Sequence, residues 1–387
     1  MDITQDEKAR YSRHLRLPGF GEAHQARLKN GSVLVIGLGG LGSPAALYLA
    51  AAGVGRIGLV DHDTVESHNL QRQVLYGERD VGQSKCIAAR RRLSALNASV
   101  KLEVHESGLD AVNAMSLFAK YDVILDGSDN FATRFLVNDA SKLSGKPLVY
   151  GSLFQWEGQL TVFNRSRSAP CYRCLFPEPP RPGIVPDCNE AGVVGALPGV
   201  IGSLQAMEAI KLLTGLGEPV EGRMLVMDLL MGKVRSVKIP KDPDCPLCGI
   251  RPRIDHIEAG SYPVPCLLPD VAESREPVEG LNVPLSISVE MAWESFRSGK
   301  VRLLDVREPD EHAICQIPGS VLMPMGNVPD LFRELDRKAW WVVVCHHGFR
   351  SDRVSRYLRS VGFGSVSNLE GGIEAWAERI NPDMDRY

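Results

Sequence analysis

The stretch "VLVIGLGGLGSPAALYLAAAGVGRIGLVD" (33–61) reads as a strand, a glycine turn, a helix, a second strand and an acidic residue. Val33–Ile36 is an unbroken apolar run, which suits a parallel strand buried on both faces. Gly37, Gly39 and Gly42 match G-x-G-x-x-G, and Asp61 falls where a ribose-binding carboxylate belongs in a dinucleotide fold. Such a loop turns backbone N–H groups and a helix N-terminus toward phosphate. On its own it suits a redox dinucleotide equally well as another ligand that carries phosphates and a ribose.

Outward from this stretch, strands and helices alternate. Residues 6–29 read as polar helix broken at Pro18-Gly19, and "SKCIAARRRLSALN" as a helix whose Arg90–Arg92 run is a solvated face. "YDVILDGSDN" is the next parallel strand, running into a polar loop. This alternation predicts an α/β, Rossmann-like doubly wound sheet with its ligand at the carboxyl edge, where Gly37–Gly42, Asp61 and Asp126–Asn130 all fall. After residue 147, "PLVYGSLFQWEGQLTVFN" and "RMLVMDLLMGKVRSVKI" read as hairpins. Between them lies a Pro- and Gly-rich loop of functional length, followed by a core helix through "VIGSLQAMEAIKLLTG". The pattern predicts a domain over 1–250, a Pro-rich linker over 251–283, and a second, small α/β domain over 284–387. In the latter, "VRLLDVRE", "WWVVVCHHG" and "GSVSNLEGG" are the strands.

Composition narrows the class. At 387 residues the chain is long for one domain, and 24% charged with 44% hydrophobic residues is an ordinary soluble mixture. A net charge of -3 gives no reason to expect nucleic acid or membrane as a partner. The polar start is unlike a signal peptide, so the expected compartment is the cytoplasm. There, close pairs among the nine cysteines point to metal or catalysis rather than to disulfides.

The neighbours of the glycine loop decide its ligand. "SHNLQRQ" presents Asn69 and Arg72, "VGQSKC" offers Lys85, "RYSRHL" supplies Arg13, and Asp129 is a carboxylate for Mg²⁺. Cations near a glycine loop, with a metal-binding carboxylate, are the tools of nucleotidyl transfer rather than hydride transfer. "RYSRHL", "GLGGLG", "DHDTVESHNLQRQ", "VGQSK" and "DGSDNFATRFLVN" together resemble the ubiquitin-activating superfamily over residues 8–250. The similarity is greatest to its bacterial MoeB- and ThiF-like members, which adenylate sulfur carriers. The resemblance implies ATP contacts for Gly40, Asp61, Asn69, Arg72, Lys85, Asp129 and Asn130, with Asp129 serving Mg²⁺. It also implies a homodimer in which Arg13 reaches the phosphates of the partner subunit's site. His68 stands where the family often has serine, and its role is left open.

Cys171-x-x-Cys174 and Cys245-x-x-Cys248 are two thiolate pairs that suit one closed, tetrahedral, structural Zn²⁺. The resembling family carries the same pairs. Cys188 lies in the long loop, where family members place a cysteine that forms a thioester or assists sulfur transfer. An unremarkable loop thiol is the equal alternative. Cys86, Cys266 and Cys315 have no supporting constellation.

Cys345 differs, because it directly follows an apolar strand in a loop that opens onto a helix, and Arg350 closes that loop. Backbone N–H groups and a helix N-terminus there favour a thiolate. Four residues separate Cys345 from Arg350 (His346, His347, Gly348, Phe349), one fewer than in the phosphatase signature, a ring suited to a single sulfur. "CHHGFRS", "LLDVREPDEHAICQIPGSVLMP" and "LEGGIEAW" resemble the rhodanese family over 284–387. That resemblance implies a persulfide on Cys345, with Asp305 and Arg307 as structural residues beside the loop.

Together the two resemblances imply an enzyme, an adenylyltransferase and sulfurtransferase. It would adenylate the terminal glycine of a small ubiquitin-like sulfur carrier ending in Gly-Gly and convert it to a thiocarboxylate. The alternatives are an NAD-dependent oxidoreductase, which fits the first loop only, and a non-catalytic carrier-binding scaffold. The carrier is open among molybdopterin, thiamine, cysteine, siderophore and tRNA-thiolation pathways. The sulfur donor is open between thiosulfate and a cysteine desulfurase.

Overall fold

A computed structural model describes residues 2–179, 192–258, 260–262 and 283–386. The chain divides into two compact units, one amino-terminal and one carboxyl-terminal. In the first unit, β1 (Ser32–Ile36), β2 (Arg56–Val60), β3 (Lys101–His105), β4 (Val123–Asp126) and β5 (Leu148–Phe154) run parallel. Then β6 (Glu157–Phe163), β7 (Arg223–Asp228) and β8 (Lys233–Lys238) extend the sheet antiparallel, in the order β3-β2-β1-β4-β5-β6-β7-β8. The chain moves outward from β1 to β3 and returns on the other side of β1 to form β4. The gap between the carboxyl ends of β1 and β4 is therefore the switch point where such sheets bind ligands.

β1 is buried throughout and alternates its side chains between two cores. Val33 and Val35 join Ala45, Leu49, Leu125 and Ala209 on one face, while Leu34 and Ile36 join Phe135, Ile124 and Tyr150 on the other. The helix Gly42–Ala52 stops at Gly53, whose left-handed φ of +81° closes it. The helix Ala196–Thr214 has the length and apolarity of a membrane span, yet it packs on Gly42–Ala52, β5 and β6 through Leu197, Ile201, Ala206 and Ala209.

Two elements of this unit fall outside the sequence reading above. β3 reads "KLEVH", a short edge strand in which polar and apolar residues alternate in place of the continuous apolar run of β1. The helix Phe131–Ser144 buries Arg134, Asn138 and Asp139, so its inner face is partly polar. Residues 251–262 read from composition as linker, but Ile254, Ile257 and Tyr262 pack on the first unit.

The second unit is an all-parallel five-stranded sheet in the order β11-β10-β12-β13-β9. Its strands are β9 (Ser286–Ile287), β10 (Val301–Asp305), β11 (Val321–Leu322), β12 (Trp340–Val344) and β13 (Val366–Leu369). The central β12 sends Val342 and Val344 to one core and Trp341 and Val343 to the other, which Cys345, the next residue, also joins. β9 and β11 are two residues long, too short to show periodicity.

Candidate functional site

The glycine loop leaves β1 at Gly37, whose φ is +80°. A Cβ on Gly42 would lie 1.9 Å from the Gly37 carbonyl oxygen, so the helix starts this close only because the residue is glycine. The Leu38 peptide is held from both ends. Its N–H donates to Asp61 Oδ2 (2.7 Å), and its carbonyl accepts from Ser43 Oγ (2.9 Å) and Tyr76 OH (3.0 Å). Asp61 also accepts the Asp63 N–H on Oδ1 (2.9 Å). Burial raises its carboxyl above the ordinary range, and the Lys85 charge opposes that rise. Lys85 is itself buried and donates Nζ to Asp63 Oδ2 at 2.8 Å.

At the switch point, Gly37, Gly40, Asp61, Arg72, Lys85, Asp129 and Asn130 line one cavity. Asn69 lines an adjoining recess, together with Arg72, Lys85 and Asp129. Asp129 is exposed at the rim. Arg72 donates to the His68 carbonyl (3.1 Å), and Asn130 caps the helix Phe131–Ser144 by accepting the Thr133 N–H (2.9 Å). His68 is exposed, with Nδ1 3.2 Å from the Glu66 carboxylate. Arg13 lies in the short helix Ser12–Leu15, exposed and outside the lining of both recesses.

Three residues of this cavity are not singled out by the sequence pattern. Asp63 pairs with Lys85. Ser128 donates both N–H (2.9 Å) and hydroxyl (2.6 Å) to Asp126 Oδ1, which fixes the turn after β4. Arg134 lines the cavity and donates to Tyr150 OH, Ser152 Oγ and the Ser128 carbonyl. It stands within "DGSDNFATRFLVN", four positions beyond Asn130 and so one helical turn away.

The two cysteine pairs come together. Cys171 Sγ lies 3.9 Å from Cys174 Sγ and 3.5 Å from Cys245 Sγ, and Cys174 Sγ lies 3.4 Å from Cys248 Sγ. All four sulfurs fall within 4.8 Å of one another. A tetrahedral ion with Zn–S bonds of about 2.3 Å requires S–S edges of about 3.8 Å, so the donor set fits zinc in number, chemistry and span. Between the first pair, buried Arg173 forms a bidentate ion pair with Asp139, and Tyr262 OH donates to the same carboxylate (2.8 Å). This network ties the cluster to the helix Phe131–Ser144.

In the second unit, Cys345 directly follows β12 and is 1% exposed. Its Sγ accepts the Gly348 N–H (3.1 Å) and the Ser351 hydroxyl (3.2 Å). Gly348 has φ +100°, which lets the loop curl back over the sulfur before the helix Phe349–Ser360 begins. The His346 and His347 rings stack 4.0 Å apart, and burial holds the His346 imidazole below its ordinary pKa. Asp305 and Arg307 form a buried bidentate pair, and Arg307 donates onward to the Cys315 and Glu311 carbonyls. Arg350 holds the Glu311 carboxylate with two 2.6 Å bonds. Cys188 and Cys266 lie outside the described residues. Cys86 is buried against the Asp61 carbonyl (3.3 Å), and burial pushes its thiol up to about 12, which leaves it inert.

Known proteins resemble this chain in sequence along its whole length and in fold over part of it. The ThiF family model matches residues 11–247, and a rhodanese-like domain model matches residues 288–379. A probable adenylyltransferase/sulfurtransferase, MoeZ of Mycobacterium tuberculosis, is 44% identical over 100% of this chain and 96% of its own length. Adenylyltransferase and sulfurtransferase MOCS3 of Drosophila willistoni is 41% identical over 100% of this chain and 86% of its own. Among solved structures, E. coli MccB with MccA-N7isoASN aligns at a TM-score of 0.57 and 22% identity, over 64% of this chain and 75% of that one. E. coli MccB with ATP aligns at 0.51 and 22%, over 64% and 82%. At that identity both show a shared fold. The chain belongs to the ThiF family, as an adenylyltransferase that carries a rhodanese-like sulfurtransferase domain.

Proposed function

We propose that this enzyme adenylates the terminal glycine of a small ubiquitin-like sulfur carrier ending in Gly-Gly, then converts it to a thiocarboxylate with sulfur held on Cys345. The observation that carries the reading is the pairing, on one chain, of a glycine-loop cavity holding Arg72, Lys85 and Asp129 with a buried sulfur cradle. In this reading the adenylating domain spans 1–250 with residues 251–262 packed on it, a linker follows to 283, and the sulfur domain spans 284–387. The compartment is the cytoplasm.

ATP sits in the switch-point cavity. Gly40, Asp61, Asn69 and Asn130 surround the nucleoside and loop, while Arg72 and Lys85 face the phosphates. A carboxylate oxygen of the carrier attacks the α-phosphorus, pyrophosphate leaves, and an acyl adenylate remains. Both reactants are anions, so Arg72 and Lys85 act by lowering their repulsion. Mg²⁺, when bound at Asp129, would add charge neutralisation at the phosphates. Arg13 contributes from the partner subunit of a homodimer, which accounts for its position outside its own cavity.

The terminal sulfur of the Cys345 persulfide then attacks the acyl carbon, and AMP leaves. A second thiolate attacks Cys345 Sγ, releasing the thiocarboxylate and leaving a disulfide that an external thiol reduces. Cys188 is the candidate for that second thiol.

Carrier-dependent ATP–pyrophosphate exchange tests the first half. A Cβ at position 42 must displace the Gly37 carbonyl. Overpacking of this kind costs about 1–3 kcal/mol, so Gly42→Ala is expected to weaken ATP binding by about tenfold or more in calorimetry. An unchanged Kd would remove the loop from the ATP site.

The four cysteines hold Zn²⁺ as a structural clip between distant parts of the chain. Metal analysis is expected to return about one zinc per chain. Cys171→Ser is expected to lower the melting temperature rather than to slow exchange selectively. A metal-free protein of full stability would contradict this.

A further inference from the structure

The peptides that follow Cys345 are held from behind by the segment "LEGGIEAW" (369–376). Gly371 and Gly372 have left-handed φ values of +74° and +63°, and the helix Gly372–Arg379 starts at this turn. The first N–H groups of a helix have no partner within it. Here the Ile373 N–H donates to the Cys345 carbonyl (2.8 Å), and the Glu374 N–H donates to the His346 carbonyl (3.1 Å). A Cβ on Gly372 would collide with both of those carbonyl oxygens, so only glycine lets the helix start this close to the loop. Ile373 and Trp376 anchor the helix in the core that also holds Ile287 and Val344.

The two hydrogen bonds fix the orientation of peptide planes. In a trans peptide the N–H points opposite to the carbonyl that precedes it. Pinning the Cys345 and His346 carbonyls to the helix therefore aims the N–H groups of His346 and His347 away from it. The next N–H along the loop, that of Gly348, reaches Cys345 Sγ at 3.1 Å, and the Ser351 hydroxyl reaches the same sulfur at 3.2 Å. Sγ thus has donors of its own. The outer sulfur of a persulfide anion carries the negative charge and needs further donors, oriented before it arrives.

Resting on the sulfurtransferase reading above, we propose that Gly372 is a positioning residue for the sulfur step. By letting the helix hold the Cys345 and His346 carbonyls, it turns the N–H groups of His346 and His347 toward the outer sulfur of the persulfide. In loading, the Cys345 thiolate attacks the outer sulfur of R–S–SH. The new S–S bond forms, the donor S–S bond breaks, and R–S⁻ leaves. The proton of the outer sulfur passes to R–S⁻, which leaves on Cys345 the persulfide anion that the two N–H groups hold. Gly371 shares the strained turn but faces its own helix, where an added Cβ would meet Ala375 Cβ at 2.6 Å.

The test uses the full-length protein with glutathione persulfide as the donor, and follows loading by mass spectrometry of the alkylated Cys345 peptide. Gly372→Ala is expected to lower the equilibrium constant for loading by about tenfold or more, the scale of losing oriented donors to an anion. Gly371→Ala imposes left-handed strain in the same turn and is expected to load like the parent. In unaltered protein labelled with ¹⁵N-histidine, the His346 and His347 amide resonances are expected to move when Cys345 is loaded. Equal losses in the two variants would assign Gly372 to the stability of the turn alone and overturn the proposal. Amide resonances that stay in place on loading would overturn it too, whether or not either variant folds. Failure of the unaltered protein to load at all would overturn the sulfurtransferase reading, and the proposal with it.

Discussion

Cys345→Ala is expected to stop thiocarboxylate formation while ATP–pyrophosphate exchange continues at the rate of the unaltered enzyme. Cys345 Sγ accepts both the Gly348 N–H and the Ser351 hydroxyl, and alanine offers no atom to accept a sulfane sulfur. Removing a covalent nucleophile costs about 10³-fold or more in the step it performs. The exchange reaction belongs to a separate compact unit with its own cores, so it has no reason to fall. Thiocarboxylate formed by the variant at the original rate, with persulfide as the donor, would transfer the role to another thiol. Cys188 would then be the first to examine. Loss of exchange as well would mean that the two activities are coupled.

Asp129→Ala is expected to reduce carrier-dependent exchange by about 10²–10³-fold, the scale on which loss of one preorganised electrostatic group acts. Asp129 lines both the cavity and the recess beside it, yet it is exposed and outside both sheet cores. The melting temperature should therefore stay close to that of the parent, which separates a catalytic effect from an unfolded protein. Full exchange by the variant would remove Asp129 from the mechanism.

Much of this arrangement is legible in the amino-acid sequence, because the decisive signals are local. "VLVIGLGGLG" specifies a buried strand and a loop in which Gly37 and Gly42 are required by main-chain contacts. The C-x-x-C pairs each bring two sulfurs together without help from the fold. "WWVVVCHHGFR" places a thiol just after a buried strand through its unbroken apolar run. What escapes the sequence depends on long-range pairing. β3 alternates polar and apolar residues over only five positions, and its place at the sheet edge is set by pairing with β2. The polar inner face of Phe131–Ser144 makes sense only once Arg173 is seen against Asp139. Arg134 enters the cavity from one helical turn beyond the last residue that the glycine-loop pattern singles out. The engagement of Arg350 by Glu311 joins residues 39 positions apart, and nothing in either segment announces it.

The most direct test of the account is the intact mass of a Gly-Gly carrier after a single turnover with the full-length enzyme. With ATP alone, the carrier is expected to gain one AMP at its terminus. Addition of a persulfide donor should convert that species to one in which a single terminal oxygen is replaced by sulfur, with AMP released in equal amount. A carrier whose terminus stays unmodified with ATP, or which acquires sulfur without first passing through the adenylate, would contradict it.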